Sequence, residues 1–289
     1  MTASTIGQIK QHIQQLNDGM TARQLPSFWF TDWLLYVIEK PAIALMTDEG
    51  YELSDDELAQ FHAGVLKMQQ GTPLAYLTGQ QAFWSLDFHV NEHTLIPRPD
   101  TEVLVEQVLT WINNQTPHSA NKRLLDLGTG SGCIAISLAH ELKQAHWQVV
   151  AVDMSPEALS VAQHNALSNQ VTNIAFVQSS WYEALPTDDA QRFDVIVSNP
   201  PYIDEADEHL AHLIAEPISA LSAPNQGFAD IEHIIQQAMT YLRTGGLLAI
   251  EHGFDQGERV RALFLDSGFK SVHTVRDYGD NDRVTLGHL

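Results

Sequence analysis

The run Leu124-Leu125-Asp126-Leu127-Gly128-Thr129-Gly130-Ser131-Gly132 constrains this chain more than any other stretch, because an apolar strand enters a glycine-rich turn and a helix follows. Glycine permits a tight turn and lets backbone approach a ligand closely. The same grammar repeats from Arg98 onward. Helix 101–113 precedes strand 123–127, helix 131–143, strand 148–152, helix 156–168, strand 173–178, strand 193–198, helix 228–243, strand 247–250 and helix 256–267. Short apolar strands alternating with helices predict a doubly wound, mostly parallel α/β sheet covered on both faces. The last two strands, Ser271–Arg276 and Arg283–His288, are separated by Asp277-Tyr278-Gly279-Asp280-Asn281-Asp282. So turn-rich a hexapeptide predicts an antiparallel C-terminal hairpin.

The N-terminal third reads differently. Ile6, Ile9, Ile13 and Leu16 recur at helical spacing over about the first two dozen residues, and a very apolar segment runs from Phe28 to Met46. Ser54 and Glu57 have capping-box spacing, opening a helix through about Gln70. Residues 1–70 are therefore expected to form a small helical bundle. Gly71-Thr72-Pro73 breaks the pattern, and the aromatic and β-branched residues between Ala82 and Val90 suggest a strand pair, so 71–98 reads as a hairpin connector to a domain spanning 99–289.

Charge removes several function classes. With 15 Lys+Arg against 36 Asp+Glu the formal charge is −21, while 44% hydrophobic and 18% charged residues describe a folded chain of two ordinary domains. A surface so poor in cations gains little from counterion release, so sequence-independent nucleic-acid binding and anionic membranes are disfavoured. Met1–Leu16 lacks the apolar stretch of a secretory signal, and apolar runs such as Trp33–Ile38 fall well short of the ~20 residues that cross a bilayer. A single cysteine, Cys133, allows neither an internal disulfide nor a cysteine-based zinc site, and a cytoplasmic protein is expected. The best metal reading is His209 and His212 among Glu205, Asp207 and Glu208. A solvated polar face explains that cluster equally, and no metal is expected.

At the carboxyl end of a central strand the occupant of a glycine-rich turn is expected to be nucleotide-like, although such a turn also serves as a plain strand-to-helix connection. Asp153 ends the next strand, where a carboxylate can accept both ribose hydroxyls or cap the helix that begins at Pro156. Dehydrogenases and S-adenosylmethionine-dependent methyltransferases share these features. A dinucleotide site favours G-x-G-x-x-G/A, whereas here the third glycine, Gly132, falls one place early and Cys133 stands where Gly or Ala is wanted. Asp126 adds acidic surroundings suited to a methionine-derived ammonium. The spacing favours the methyltransferase form.

Asn199-Pro200-Pro201-Tyr202 follows the strand Phe193–Ser198. Two prolines fix two φ angles and remove two donors, making a rigid turn. Rigidity suits a planar nitrogen, whose delocalised lone pair must be recovered as a methyl arrives. The Asn199 side-chain oxygen and the Pro200 carbonyl can each accept one N–H, and Tyr202 can stack on the planar group. An ordinary strand-terminating turn is the competing reading.

Together with Gly71–Gly79, Pro97-Arg98-Pro99-Asp100-Thr101-Glu102 and Arg276-Asp277-Tyr278-Gly279-Asp280, these motifs resemble class I S-adenosylmethionine-dependent methyltransferases. The resemblance is specifically to the peptide chain release factor N(5)-glutamine methyltransferases, the PrmC/HemK family. It implies transfer of a methyl from S-adenosylmethionine, leaving S-adenosylhomocysteine, to the glutamine amide of a release factor's Gly-Gly-Gln motif. It further implies that Gly128, Thr129, Gly130, Ser131 and Gly132 wrap the methionine part, Asp153 holds the ribose and Trp181 lines the adenosine pocket. Asn199 would touch cofactor and substrate, while Asn199, Pro200, Pro201 and Tyr202 grip the glutamine. The helical N-terminal domain would recognise the protein substrate. Two departures stand out: Ser180 where relatives often carry Asp, and a shortened segment from His209 to Ala215 lacking the usual basic residue. The alternatives are a ribosomal-protein glutamine methyltransferase, a DNA amino-adenine methyltransferase and a non-catalytic module that keeps the fold. DNA would need a basic groove that this sequence lacks.

Overall fold

The computed structural model describes residues 4–18, 25–115, 122–208, 210 and 213–289, with 14–18 described by backbone alone. The chain divides into two compact units, 1–79 and 80–289.

The first unit holds helices α1 (Ile6–Asp18), α2 (Ser27–Val37), α3 (Ala44–Thr47), α4 (Asp55–Gln69) and α5 (Leu74–Thr78). Ile6, Ile9 and Ile13 turn one face of α1 inward against Phe30, Leu34, Phe61 and Met68, the apolar stripe expected from their spacing. The capping box at α4 is present in full: Ser54 Oγ accepts the Glu57 N–H at 3.2 Å, and Glu57 Oε2 accepts the Ser54 N–H at 2.7 Å. The boundary at Gly79 falls inside the expected connector. Residues 74–78 close the first unit as α5, and the second opens with the hairpin β1 (Gln80–Phe83) and β2 (Leu86–His89).

After α6 (Glu102–Asn113) the second unit alternates strand and helix: β3 (Lys122–Leu127), α7 (Cys133–Glu141), β4 (Trp147–Asp153), α8 (Pro156–Ser168), β5 (Ile174–Gln178) and β6 (Phe193–Ser198). Two very short strands, β7 (Ile203–Asp204) and β8 (Ser222–Ala223), pair in parallel and were not foreseen from the sequence. A single turn, α9 (Pro224–Gly227), leads into α10 (Ala229–Tyr241), β9 (Leu242–Glu251), α11 (Gly257–Asp266), β10 (Lys270–Arg276) and β11 (Asp282–His288). The main sheet runs β10-β11-β9-β6-β3-β4-β5, parallel from β9 through β5, with β11 antiparallel to both its neighbours. Leu124, Val195, Val197 and Ala249 point to one face beneath α6, α7 and the β1–β2 hairpin. Leu125, Ile196, Leu248 and Ile250 point to the other, beneath α10 and α11. That two-residue alternation buries both faces of the strands.

Among the boundaries that shifted, two have a clear local cause. Helix α7 begins at Cys133 rather than 131 because Gly132 has φ +83°, a left-handed conformation that ends the turn before the helix starts. The strand read as 247–250 extends over 242–251, since its partner β6 supplies register pairs from Phe193↔Leu242 to Ser198↔Ile250.

Strand order reverses between β3 and β6. From β3 the chain proceeds outward through β4 and β5, and from β6 it proceeds the other way through β9. The carboxyl ends of β3, β4 and β6 therefore flank a topological switch point, where open α/β sheets bind ligands. Among the described residues, no helix is long and apolar enough to cross a membrane.

Candidate active site

A cleft of about 310 Å³ opens at that switch point. Gly128, Thr129, Gly130, Ser131, Asp153, Trp181, Asn199 and Pro201 all line it, so residues spread over more than seventy positions converge on one cleft. Gly132, Pro200 and Tyr202 stand behind this lining. A side chain at Gly132 would be strained: its φ is positive, and a Cβ there would sit 2.6 Å from Ile136 Cδ1 and 3.1 Å from Ala162 Cβ.

The glycine turn is held by strand β4. Gly128 and Thr129 N–H groups both donate to the Val152 carbonyl at 3.0 and 2.9 Å, and Gly130 N–H donates to Asp153 Oδ2 at 2.8 Å. Beneath the turn, Thr129 Oγ1 donates to Asp126 Oδ2 at 2.6 Å. Asp126 is fully buried, and desolvation pushes its carboxyl up to about 7. Burial raises Asp153 as well, against the backbone N–H groups of Ser155 and Gly130 that favour its ionised form. The helix-capping role considered for Asp153 belongs to Ser155, whose Oγ accepts the Ala158 N–H at 3.1 Å at the start of α8. Asp153 instead links the turn to the strand end, and each of its oxygens keeps a lone pair for a ligand.

Trp181 follows β5 in a left-handed conformation, φ +48°, which carries its indole over Gly128. Its Nε1–H donates to Asp230 Oδ1 at 3.2 Å. Asp230, at the start of α10, lines the same cleft and is raised by burial. Ser180 also lines the cleft, so Asp230 is the carboxylate that stands beside Trp181 there.

At the end of β6 the Asn199 side-chain nitrogen donates to Thr101 Oγ1 at 3.3 Å, which leaves its oxygen available. The turn behind it is braced from two sides. Gln256 Nε2 donates to the Tyr202 carbonyl at 2.9 Å, and the Tyr202 hydroxyl meets Glu251 Oε1 at 3.4 Å. Tyr202 packs against the core beside α10, so its ring is a brace for the turn in this structure. Burial next to the Glu251 charge raises its phenol well above the ordinary value. Glu251 is itself fully buried and pushed up to about 7.

The Pro97–Glu102 run forms one rim. Arg98 lines the cleft and pairs with Glu216, whose other oxygen accepts the Ile96 N–H at 3.0 Å. Glu216 is buried, so this rim is fixed to the segment after 213. The Arg276–Asp280 motif has a different place: Asp277 accepts N–H groups of Gly279 and Asn281 and the fork of Arg283, closing the β10–β11 turn. His209 and His212, the pair behind the metal reading, lie outside the described residues.

The sequence reading missed Thr101 as an individual contact, and it missed Glu251, Glu216, Gln256 and Asp230. Glu251 left a usable signal. Like Asp153, it is a carboxylate terminating an apolar strand, and a charge there belongs to the ligand end of a parallel sheet.

Comparison with known proteins places this site in context. Residues 118–271 match the family model described as a methyltransferase domain, and residues 32–79 match that of the PrmC N-terminal domain. The release factor glutamine methyltransferase of Shewanella oneidensis is 45% identical over 88% of this chain and 86% of its own length. That of Aliivibrio fischeri is 42% identical over 99% of this chain and 98% of its own. Among solved structures, the hMettl16 catalytic domain in complex with a MAT2A 3′UTR hairpin superposes with a TM-score of 0.53 at 16% identity, covering 82% of each chain, a likeness of fold.

Proposed function

The chain belongs to the family of release factor glutamine methyltransferases, and we propose that it methylates the side-chain amide nitrogen of the glutamine in a release factor's Gly-Gly-Gln motif, using S-adenosylmethionine. One observation carries the reading: Asn199 enters the cleft beside the glycine turn with its nitrogen occupied by Thr101 and its oxygen available.

The residues fit that cofactor. The glycine turn is a cradle in which a Cβ at Gly128 would come within 3.2 Å of Trp181, while the Cβ position of Gly130 is open to the cleft. Gly128 to Ser131 would hold the methionine part, Asp153 the ribose hydroxyls, and Trp181 with Asp230 the adenine side. S-adenosylmethionine supplies a methyl made electrophilic by its sulfonium, so no metal is called for.

The chain's own task is orientation. Asn199 Oδ1 and the Pro200 carbonyl accept the two N–H groups of the substrate amide and favour a nitrogen that is turning pyramidal, an interaction stronger in the transition state than in the ground state. Pro201 and Tyr202 keep the turn rigid while they do so. A strong general base is unnecessary, because the nitrogen becomes acidic only as it acquires the methyl. The helical N-terminal region takes the recognition of the protein substrate, and that substrate places the work in the cytoplasm.

The net charge of −21 supports a polypeptide amide over a base in a polyanion, although an Asn-Pro-Pro-Tyr turn suits both nitrogens. Incubation with labelled S-adenosylmethionine and, separately, release factor, ribosomal protein and duplex DNA tests the assignment, with the methyl located by mass spectrometry. Label on the Gly-Gly-Gln glutamine is the expected result. Label on DNA or ribosomal protein instead would overturn it.

A further inference from the structure

A side-chain amide carries both kinds of hydrogen-bonding group, so it can join two stretches of backbone that no strand ladder connects. Asn165 on α8 does this. Its Oδ1 accepts the His89 N–H at 2.7 Å, and its Nδ2 donates to the His89 carbonyl at 3.0 Å. The second hydrogen of that nitrogen goes to the Ser131 carbonyl at 2.9 Å. Backbone groups cannot exchange the roles of donor and acceptor, so these three contacts fix which end of the amide is which. Asn165 is 1% exposed, which leaves water no access to any of the three bonds. The two ends of the bridge belong to different parts of the site. Ser131 lies in the glycine turn and lines the cleft. His89 ends β2, and the chain leaving it supplies His93, Thr94, Leu95, Pro97 and Arg98 to the wall of the same cleft.

We infer that Asn165 is a positioning residue that holds the glycine turn in its ligand-binding shape and ties it to the 93–98 rim. The peptide between residues 131 and 132 has both polar groups engaged: the Ser131 carbonyl by Asn165, and the Gly132 N–H by the Thr129 carbonyl at 2.8 Å. Peptide orientation decides whether such a turn shows a ligand N–H groups or carbonyl oxygens. Without Asn165 the Ser131 carbonyl is buried with no donor, and rotating its peptide to find one reshapes the turn. On the other side, the Asn165 amide acts as one more strand partner for β2, since it meets both backbone groups of a single residue. Asn169, one helical turn later, offers a control. Its Nδ2 donates to the Asp87 carbonyl at 2.9 Å and to the Asn165 carbonyl at 2.9 Å, so it pins the same hairpin through bonds to the hairpin and to its own helix.

The inference rests on the reading of this turn as the seat of S-adenosylmethionine, and the test separates the two. The full chain is prepared unmodified and as Asn165→Asp, Asn165→Leu and Asn169→Ala. Calorimetric titration gives the Kd for S-adenosylhomocysteine, methyl transfer at saturating S-adenosylmethionine gives kcat and the KM for release factor, and urea unfolding gives each midpoint. Asn165→Asp is nearly isosteric and keeps the acceptor for His89 while losing both donors. It is expected to raise the Kd about tenfold, and Asn165→Leu, which loses all three bonds, by more. The aspartate variant carries the test if the leucine variant is too unstable to titrate. Both are expected to raise the KM for release factor about threefold, because one side chain holds turn and rim. Asn169→Ala is expected to lower the urea midpoint while its Kd stays within about twofold of the parent. Asn165 variants that bind S-adenosylhomocysteine like the parent would overturn the inference and leave the reading of the turn intact. An equal loss of affinity in Asn169→Ala would reduce Asn165 to a pin for the hairpin and overturn it too. A raised Kd beside an unmoved KM for release factor would overturn the tie to the rim. An unmodified chain that does not bind S-adenosylhomocysteine would remove the reading of the turn, and the positioning role with it.

Discussion

Asp153 Oδ2 accepts the Gly130 N–H at 2.8 Å, so the carboxylate at the end of β4 shapes the glycine turn as well as facing the cleft. Its other oxygen is bonded to the Ser155 N–H at 2.9 Å. Replacing Asp153 by Ala removes a charged acceptor for a ligand and loosens the turn in one change. Losing a hydrogen bond to a charged group costs about 2 kcal/mol, or roughly thirtyfold in Kd. Calorimetric titration with S-adenosylhomocysteine is expected to show a loss of that order. An unchanged Kd would show that Asp153 serves the fold alone.

Asn199→Ala addresses the chemistry rather than the affinity. The variant lacks the acceptor for the substrate amide but leaves the glycine turn, Asp153 and Trp181 in place. Turnover is expected to vanish while S-adenosylhomocysteine affinity stays within about tenfold, or ~1.4 kcal/mol. Single-turnover assays with release factor measure the first quantity and titration the second. Full methyl transfer by the variant would end the assignment.

Much of this site was legible in the sequence because several of its parts sit at or near the end of an apolar strand. Asp126, Asp153 and Asn199 interrupt or close runs of Leu, Val and Ile, and β-strand geometry carries such residues to one edge of the sheet. The turn residues were equally readable, since Gly128 and Gly132 hold positive φ and Pro200 and Pro201 fix a turn. What stayed hidden depends on register. Thr101 meets Asn199 across 98 positions, and Glu216 meets Ile96 across 120. No local periodicity encodes pairs of that separation. The role of Tyr202 was hidden for the same reason: its hydroxyl is claimed by Glu251, a partner set by the β6–β9 pairing. Strands as short as β7 and β8 leave too few residues for any alternation to register.

Gly227 is the least replaceable support of the Asn-Pro-Pro-Tyr turn. It has φ +80°, and a Cβ there would lie 2.0 Å from the Tyr202 carbonyl oxygen and 3.0 Å from Gln256 Nε2, the donor to that oxygen. Gly227→Ala therefore forces both a strained backbone and the rupture of a brace. A destabilisation of about 2–3 kcal/mol is expected in urea unfolding followed by tryptophan fluorescence. Turnover should fall further than the unfolded fraction explains, because the turn carrying Asn199 shifts. A variant as stable and as active as the parent would mean that the turn is held elsewhere.

Two buried carboxyls give the fold a defined response to pH. Desolvation raises both Asp126 and Glu251 to about 7 in the folded chain, from ordinary values of 3.8 and 4.5. Between those limits the folded state binds protons that the unfolded state has released, and stability falls as pH rises. The stabilising contribution is complete below about pH 4 and is lost as pH passes through about 7. Asp277 works in the opposite sense, since its hydrogen bonds hold its carboxyl below the ordinary value and its contribution is lost only in stronger acid. Self-repulsion in a chain of charge −21 also grows with pH, so the parent slope alone does not isolate the buried groups. Glu251→Gln does, because it removes one titrating carboxyl while changing the net charge by a single unit. Urea unfolding at roughly pH 5 and pH 8 should show a smaller loss of stability across that interval in the variant than in the parent. Equal losses in the two proteins would mean that Glu251 titrates alike in the folded and unfolded chains, and that β9 ends in a carboxylate which burial does not perturb.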